Sequence, residues 1–193
     1  MALKATVHKV DLAVSDMDRG YYGSHTLTLA RHPSETSERM MVRLLAFAMF
    51  ADEALAYGRG LSADDEPALW LKDLTGNIEC WIDVGLPDER ELRKACGRAR
   101  RVVLLTYGGR GVGIWWGQNQ AALARHENLD VIDIPIEATQ ALAKLADRNM
   151  QINATLQDGH IWMGNAAETV LIEPVVMKKN SKLDQFQPTQ SRT

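Results

Sequence analysis

The chain has 193 residues, enough for one sizeable domain and short for two. Hydrophobic residues make up 46%, charged residues 24%, and the formal net charge is -3. That balance excludes a global basic field, so a nucleic-acid partner has to use a local patch.

Two cysteines, Cys80 and Cys96, argue against a disulfide scaffold. No apolar run approaches the length that spans a bilayer, so no membrane partner is expected. Met1–Val7 lacks the apolar core of a signal peptide. The expectation is a reduced, cytoplasmic protein: one domain over residues 1–178, then a flexible polar tail over 179–193.

In chain order, Leu3–Val14 alternates and is rich in β-branched residues, which predicts a strand. Tyr21–Arg31 predicts a second, with turn chemistry at Ser15–Gly20 between them. Apolar residues from Met40 to Leu55 recur at helical spacing and predict one long helix from Ser34 to Tyr57, with Ser34 as cap. Its methionines read as core filler.

Next comes an acidic hairpin. Asp64, Asp65 and Glu66 precede the strand Ala68–Lys72; a turn at Leu74–Asn77 leads to the strand Ile78–Gly85. A basic helix over Asp88–Ala99 follows, opened by Pro87. Val102–Tyr107 is a continuous apolar run, the pattern of a strand buried on both faces.

Gly108–Gly113 reads as a flexible loop. It lacks the Lys-Ser/Thr ending of a phosphate loop and the spacing of a dinucleotide loop. Trp115 and Trp116 read as packing, with base stacking the alternative. Helices are predicted over Gly117–His126 and Ile136–Arg148. Strands are predicted over Val131–Pro135, Met150–Leu156, His160–Met163 and Val170–Lys178. The fold class is therefore α/β (α+β), a mixed sheet flanked by helices with extra β-hairpins at both ends.

No serine-hydrolase elbow occurs, and five scattered histidines with two distant cysteines do not make a zinc site. The carboxylates remain. Centring the hairpin near Thr75-Gly76 sets Lys72 opposite Glu79 and Asp83 opposite about Ala68, give or take one residue. Asp83 is then within reach of Asp65 or Glu66 at the open end, with Glu53 joining from the preceding helix. Glu79 and Asp83 lie about 13 Å apart at roughly 3.3 Å per residue, too far to grip one ion. Glu79 has Lys72 as an alternative partner. Two or three converging carboxylates suit Mg or Mn, and such an ion polarises a phosphodiester and activates water.

The order of long helix, acidic hairpin, basic helix and buried strand resembles the PD-(D/E)xK nuclease superfamily. There the second hairpin strand ends in an acid, one residue and a lysine. The matching segment here is Asp83-Val84-Gly85, so glycine takes the lysine's place. Lys94, two turns into the next helix, is the substitute that the resemblance implies. Sharing the site requires its Nζ within about 6 Å of Asp83.

The narrower resemblance rests on several stretches. They are Met1–Thr6, Leu29-Ala30-Arg31-His32-Pro33-Ser34-Glu35-Thr36, Ala51-Asp52-Glu53, Leu86-Pro87-Asp88-Glu89-Arg90 and Trp115-Trp116. Together they resemble the bacterial YaeQ family over nearly the whole chain. The resemblance implies a variant of the nuclease-like fold and no settled biochemical role.

The expected function is a metal-dependent, nuclease-like protein acting on nucleic-acid phosphodiesters. Asp83 with Asp65 or Glu66 would hold the metal. Glu53 or Glu79 would be an outer ligand or orient water. Lys94 would stabilise charge, and Arg90, Arg93 and Arg98 would position phosphates, unless they form only a solvated helix face. The alternative is a non-catalytic nucleic-acid- or protein-binding module on the same scaffold.

Overall fold

A computed structural model of the chain describes residues 5–59 and 65–181. Met1–Lys4, Asp64 of the acidic hairpin and residues 182–193 of the expected tail lie outside the described residues.

Strand β1 (Thr6–Asp16) pairs antiparallel with β2 (Tyr21–Arg31) over eleven register pairs. The other side of β1 pairs in parallel with β8 (Asn149–Gln157). From there β9 (His160–Gly164) and β10 (Thr169–Ile172) continue antiparallel. The terminal hairpins expected from sequence thus merge into one five-stranded sheet, in the order β10-β9-β8-β1-β2.

Helix α1 spans Ser37–Met49, capped by Thr36, whose side chain accepts from the Arg39 N–H at 3.1 Å. The expected extension to Tyr57 does not form. The helix stops at Phe50, Asp52 accepts from the Ala54 N–H at 2.8 Å, and Leu55–Tyr57 is strand β3. Ser34 does not cap either; its hydroxyl lies 2.6 Å from His32 Nδ1 in the turn before the helix.

Strands β3, β4 (Leu69–Lys72) and β5 (Ile78–Val84) form an antiparallel meander. Asp73 holds its turn, accepting from Thr75 and Asn77, and those bonds keep its carboxyl down at about 2. Helix α2 (Glu89–Arg98) then returns the chain to β6 (Ala99–Thr106), parallel to β5. Val102 and Leu104 bury on one face of β6, Val103 and Leu105 on the other, as the unbroken apolar run predicts.

Helix α3 spans Arg110–Leu123, so most of the expected glycine loop and both tryptophans are helical. Strand β7 (Leu129–Asp133) lies parallel to β6, and α4 covers Ile136–Lys144. The expected single strand Val170–Lys178 breaks at Glu173-Pro174. Its second half is β11 (Val175–Lys178), paired with β7 in the other sheet. That six-stranded sheet runs β11-β7-β6-β5-β4-β3. Order continues past Lys178: Asn180 is buried, and its N–H reaches Asp130 at 2.7 Å.

The fold is α+β, with two mixed sheets and four helices among the described residues. Helices α1 and α4 pack against each other, and α1 touches strands of both sheets. Met40 to Ala48 are all buried, the signature of a helix surrounded by core. A second core lies on the opposite face of the six-stranded sheet. It gathers Trp81, Leu92, Ala95, Leu104, Trp115 and Leu123 from that sheet, α2 and α3. No helix among the described residues is long and apolar enough to cross a membrane.

Candidate functional site

Strand β5 alternates faces. Cys80, Ile82 and Val84 face the larger core, while Trp81 and Asp83 share the opposite face. Asp83 comes at the carboxyl end of the strand, where α2 begins. There a cleft of about 850 Å³ opens between the start of α1, the segment before β4 and the first turns of α2.

Arg39, Arg90 and Lys94 line this cleft together with Glu66, Asp83, Asp88 and Glu91. The carboxyl end of a strand beside a helix start is where open α/β sheets place their ligands.

The Asp83 carboxylate is well held. One oxygen accepts from the Ala68 N–H at 2.9 Å, the other from the Trp81 indole N–H at 2.6 Å. The expected placement opposite Ala68 is therefore met. Burial pushes the Asp83 carboxyl above its ordinary value, although both hydrogen bonds and the Arg39 charge pull it down. Glu91 adds a weak push upward.

Arg39 is a residue that sequence reasoning missed. It occupies the first turn of α1 and bonds Glu35 at 2.9 Å. Glu35 also meets Arg43, and both of those side chains are 2% exposed. The buried ion pair thus fixes the carboxylate that orients Arg39. Arg39 and Arg43 share one face of α1, and Glu35, just before the Thr36 cap, meets both of them.

The acids expected to converge are spread among separate partners. Asp65 is ion-paired with Lys94, and its carboxyl is lowered by that bond. Glu66 lines the cleft but is bound by Arg59 at 2.7 Å, which holds its carboxyl low. Glu79 pairs with Arg100 at 3.0 Å, not with Lys72. The register explains the exchange. A shift between Leu71 and Lys72 puts Lys72 opposite Ile78, while β6 brings Arg100 alongside.

Glu53 sits in the turn after α1, where its charge acts on Tyr21, and it is absent from the cleft lining. No three Asp, Glu, His or Cys side chains are grouped to hold a metal ion among the described residues.

The expected basic residues divide too. Arg90 and Lys94 line the cleft. Arg98 donates to the Asp65 carbonyl at 3.0 Å and lies 5.3 Å from the Trp81 ring centroid. Arg93 is exposed on α2 outside the cleft lining. Asp88 and Glu91 form a capping box that satisfies the helix start. Trp115 donates its indole N–H to the Pro87 carbonyl at 2.7 Å, tying α3 to the cleft's far wall.

The glycine in the lysine's place has a backbone reason. Gly85 has φ +114, and its N–H bonds the Leu105 carbonyl at 2.9 Å. Nothing lies within 4 Å of where a Cβ would stand, so space is open, but the conformation is strained for a lysine. Lys94 of α2 lines the cleft, with its ammonium ion-paired to Asp65.

Fold and cleft together define an α+β protein with an ion-paired cleft at the carboxyl end of a mixed-sheet strand. A family model described as YaeQ protein matches residues 1–174, and the chain belongs to the YaeQ family. The chain is 50% identical over 165 residues to the "Uncharacterized protein YaeQ" of Escherichia coli K12, spanning 86% of this chain and 91% of that one. It is 48% identical over 173 residues to the Salmonella typhi protein of the same description, spanning 90% and 96%.

Among solved structures, the YaeQ protein of Xanthomonas axonopodis pv. citri superposes with a TM-score of 0.88 at 51% identity. That match covers 90% of this chain and 98% of the other. The Pseudomonas syringae YaeQ protein gives 0.87 at 37% identity, with 92% and 98% covered.

Proposed function

We propose that the protein is nuclease-like, a cytoplasmic protein whose cleft takes a phosphodiester of nucleic acid. One observation carries the reading. A helix, an antiparallel three-strand meander, a second helix and a parallel strand follow in that order, and the cleft opens where β5 ends at Asp83. That order resembles the core of the PD-(D/E)xK scaffold, which carries an acid at the strand end.

The residues divide the work. Arg39 faces Asp83 and offers a planar guanidinium to a phosphoryl oxygen. Arg90 offers a second, and Lys94 a point charge that must leave Asp65 to act. The donor set accommodates a hydrated divalent ion. Asp83 has about four acceptor positions, two of them filled by Ala68 and Trp81, and Mg needs only one or two protein carboxylates. Asp83 would hold it, with Glu91 the next acid in electrostatic reach. The chemistry supplied there is polarisation of a phosphoryl oxygen and activation of water.

The test is calorimetry with Mg or Mn on wild type and Asp83→Asn, beside hydrolysis of a labelled oligonucleotide. Binding at millimolar ion or below and metal-dependent cleavage, both lost in Asp83→Asn, are expected. Wild type that takes up no divalent ion removes the hydrolytic reading.

A second reading has its own observation, the Gly85 backbone that disfavours the strand lysine. It is a non-catalytic nucleic-acid-binding module. Salt-sensitive binding that survives both Asp83→Asn and a chelator is its signature.

A further inference from the structure

Trp81 stands in the cleft wall, and its neighbours extend outward from it. Across the hairpin it faces Trp70, ring centroids 6.4 Å apart and edge to face. Trp70 is half-buried, and the exposed Lys72 places its ammonium 3.4 Å from the Trp70 centroid. Arg98 lies against the Trp81 ring, one helical turn beyond Lys94. Lys72, Trp70, Trp81 and Arg98 therefore form a row of two indoles flanked by cations, which leads to Lys94 and Arg90 in the cleft.

We propose that this row is a track that guides single-stranded nucleic acid to the cleft, with one base stacked on Trp70 and a flanking phosphate on Lys72. The indole chemistry favours a single strand over a duplex, and the surroundings pick out Trp70 as the stacking ring. A duplex hides its base faces, whereas an indole beside a cleft is useful only to an unstacked base. The lysine covering Trp70 is on the same strand and exposed, so its move onto a phosphate frees the ring face. Trp81 cannot take that role, because its ring is buried and its N–H is committed to Asp83. The charge of the row is also local, as a chain of net charge -3 requires.

The track rests on reading the cleft as a phosphodiester site, and the two can fail separately. The experiment measures fluorescence anisotropy of a labelled oligonucleotide of about twenty nucleotides, single-stranded and as a duplex, in chelator, over a salt series. Tryptophan emission is followed alongside. Single strands are expected to bind at least tenfold tighter than duplex and to quench tryptophan emission. Trp70→Leu should weaken single-strand binding about tenfold, within the range of base–aromatic stacking, while Trp70→Phe keeps most of it. Lys72→Glu should weaken it and flatten the salt slope.

Equal affinity for both forms, or single-strand binding unchanged in Lys72→Glu, overturns the track. Lys72 is exposed, so that variant decides the matter even where Trp70→Leu does not fold. Metal-dependent cleavage lost in Asp83→Asn, without a single-strand preference, removes the track and leaves the cleft reading. Track-dependent binding with no divalent-ion uptake removes the hydrolytic reading and leaves the track.

Discussion

Replacing Arg43 tests the support of the cleft from beneath. Its Nη2 donates to Glu35 Oε2 at 2.9 Å and to the Ala30 carbonyl at 3.1 Å. Its Nε lies 2.8 Å from Glu35 Oε1 but out of hydrogen-bond alignment, so that contact is Coulombic. Both side chains are almost wholly out of water, which makes the pair unlike a surface salt bridge.

Arg43→Met leaves Glu35 paired with the partly exposed Arg39. The expected cost is therefore about 1–3 kcal/mol, a fraction of the roughly 3–5 kcal/mol that stranding a buried charge outright carries. Against a domain stability of about 5–15 kcal/mol, the loss is large but survivable. Glu35→Leu with Arg43→Met removes both charges and should recover most of it. Urea unfolding followed by circular dichroism reads both, with an unchanged slope showing that the unfolded states match. A cost for Arg43→Met below about 1 kcal/mol, or a double variant costing the sum of the singles, refutes the buried-pair argument.

Two further outcomes follow from the strand end. Because burial raises the Asp83 carboxyl, the folded state favours its protonated form. Its stabilising contribution is complete below the ordinary carboxyl value of 3.8 and is lost as pH rises through the raised folded value. Wild type should therefore lose stability relative to Asp83→Asn as pH climbs above about 4, then hold a constant difference; a difference flat across the acid range contradicts it. Gly85→Lys should cost about 1–3 kcal/mol through backbone strain and bring no gain in cleavage, since φ +114 suits glycine. Gly97→Ala, in α2 with nothing within 4 Å of the new Cβ, should instead raise thermal stability, and the contrast in melting temperature separates strain from crowding.

Much of the fold was legible because its signals are local. The hairpin of β4 and β5 follows from alternation and a turn held by Asp73, and β6 from an unbroken apolar run. Asp83 opposite Ala68 followed from counting across that turn. The parts that were not legible depend on distant partners. Nothing near Glu79 announces Arg100, which arrives only because β6 lies parallel to β5. The end of α1 was hidden because Ala51 and Leu55 keep an apolar spacing that β3 also uses. The glycines at 111, 113 and 117 disguised α3, whose place is fixed by Trp115 packing under Pro87. Arg39 was missed because its importance comes from facing a strand end across the cleft, which no spacing within α1 displays.

The placement of β1 has a consequence for synthesis. It lies inside its sheet, between β2 and β8, and His8 Nδ1 meets the Asp147 carbonyl 139 residues along the chain. At about 5–20 residues per second, a ribosome needs on the order of ten seconds to deliver β8 after β1 emerges. Throughout that interval the nascent hairpin of β1 and β2 carries Val10, Leu12 and Val14 with a parallel neighbour still unmade. Strand β1 is made well before the partner that completes it, so its β8-facing edge stays open until Asn149–Gln157 has been synthesised. A chain cut before Asn149 would leave β1 an open edge and should aggregate, even though the cleft's own elements would all be present.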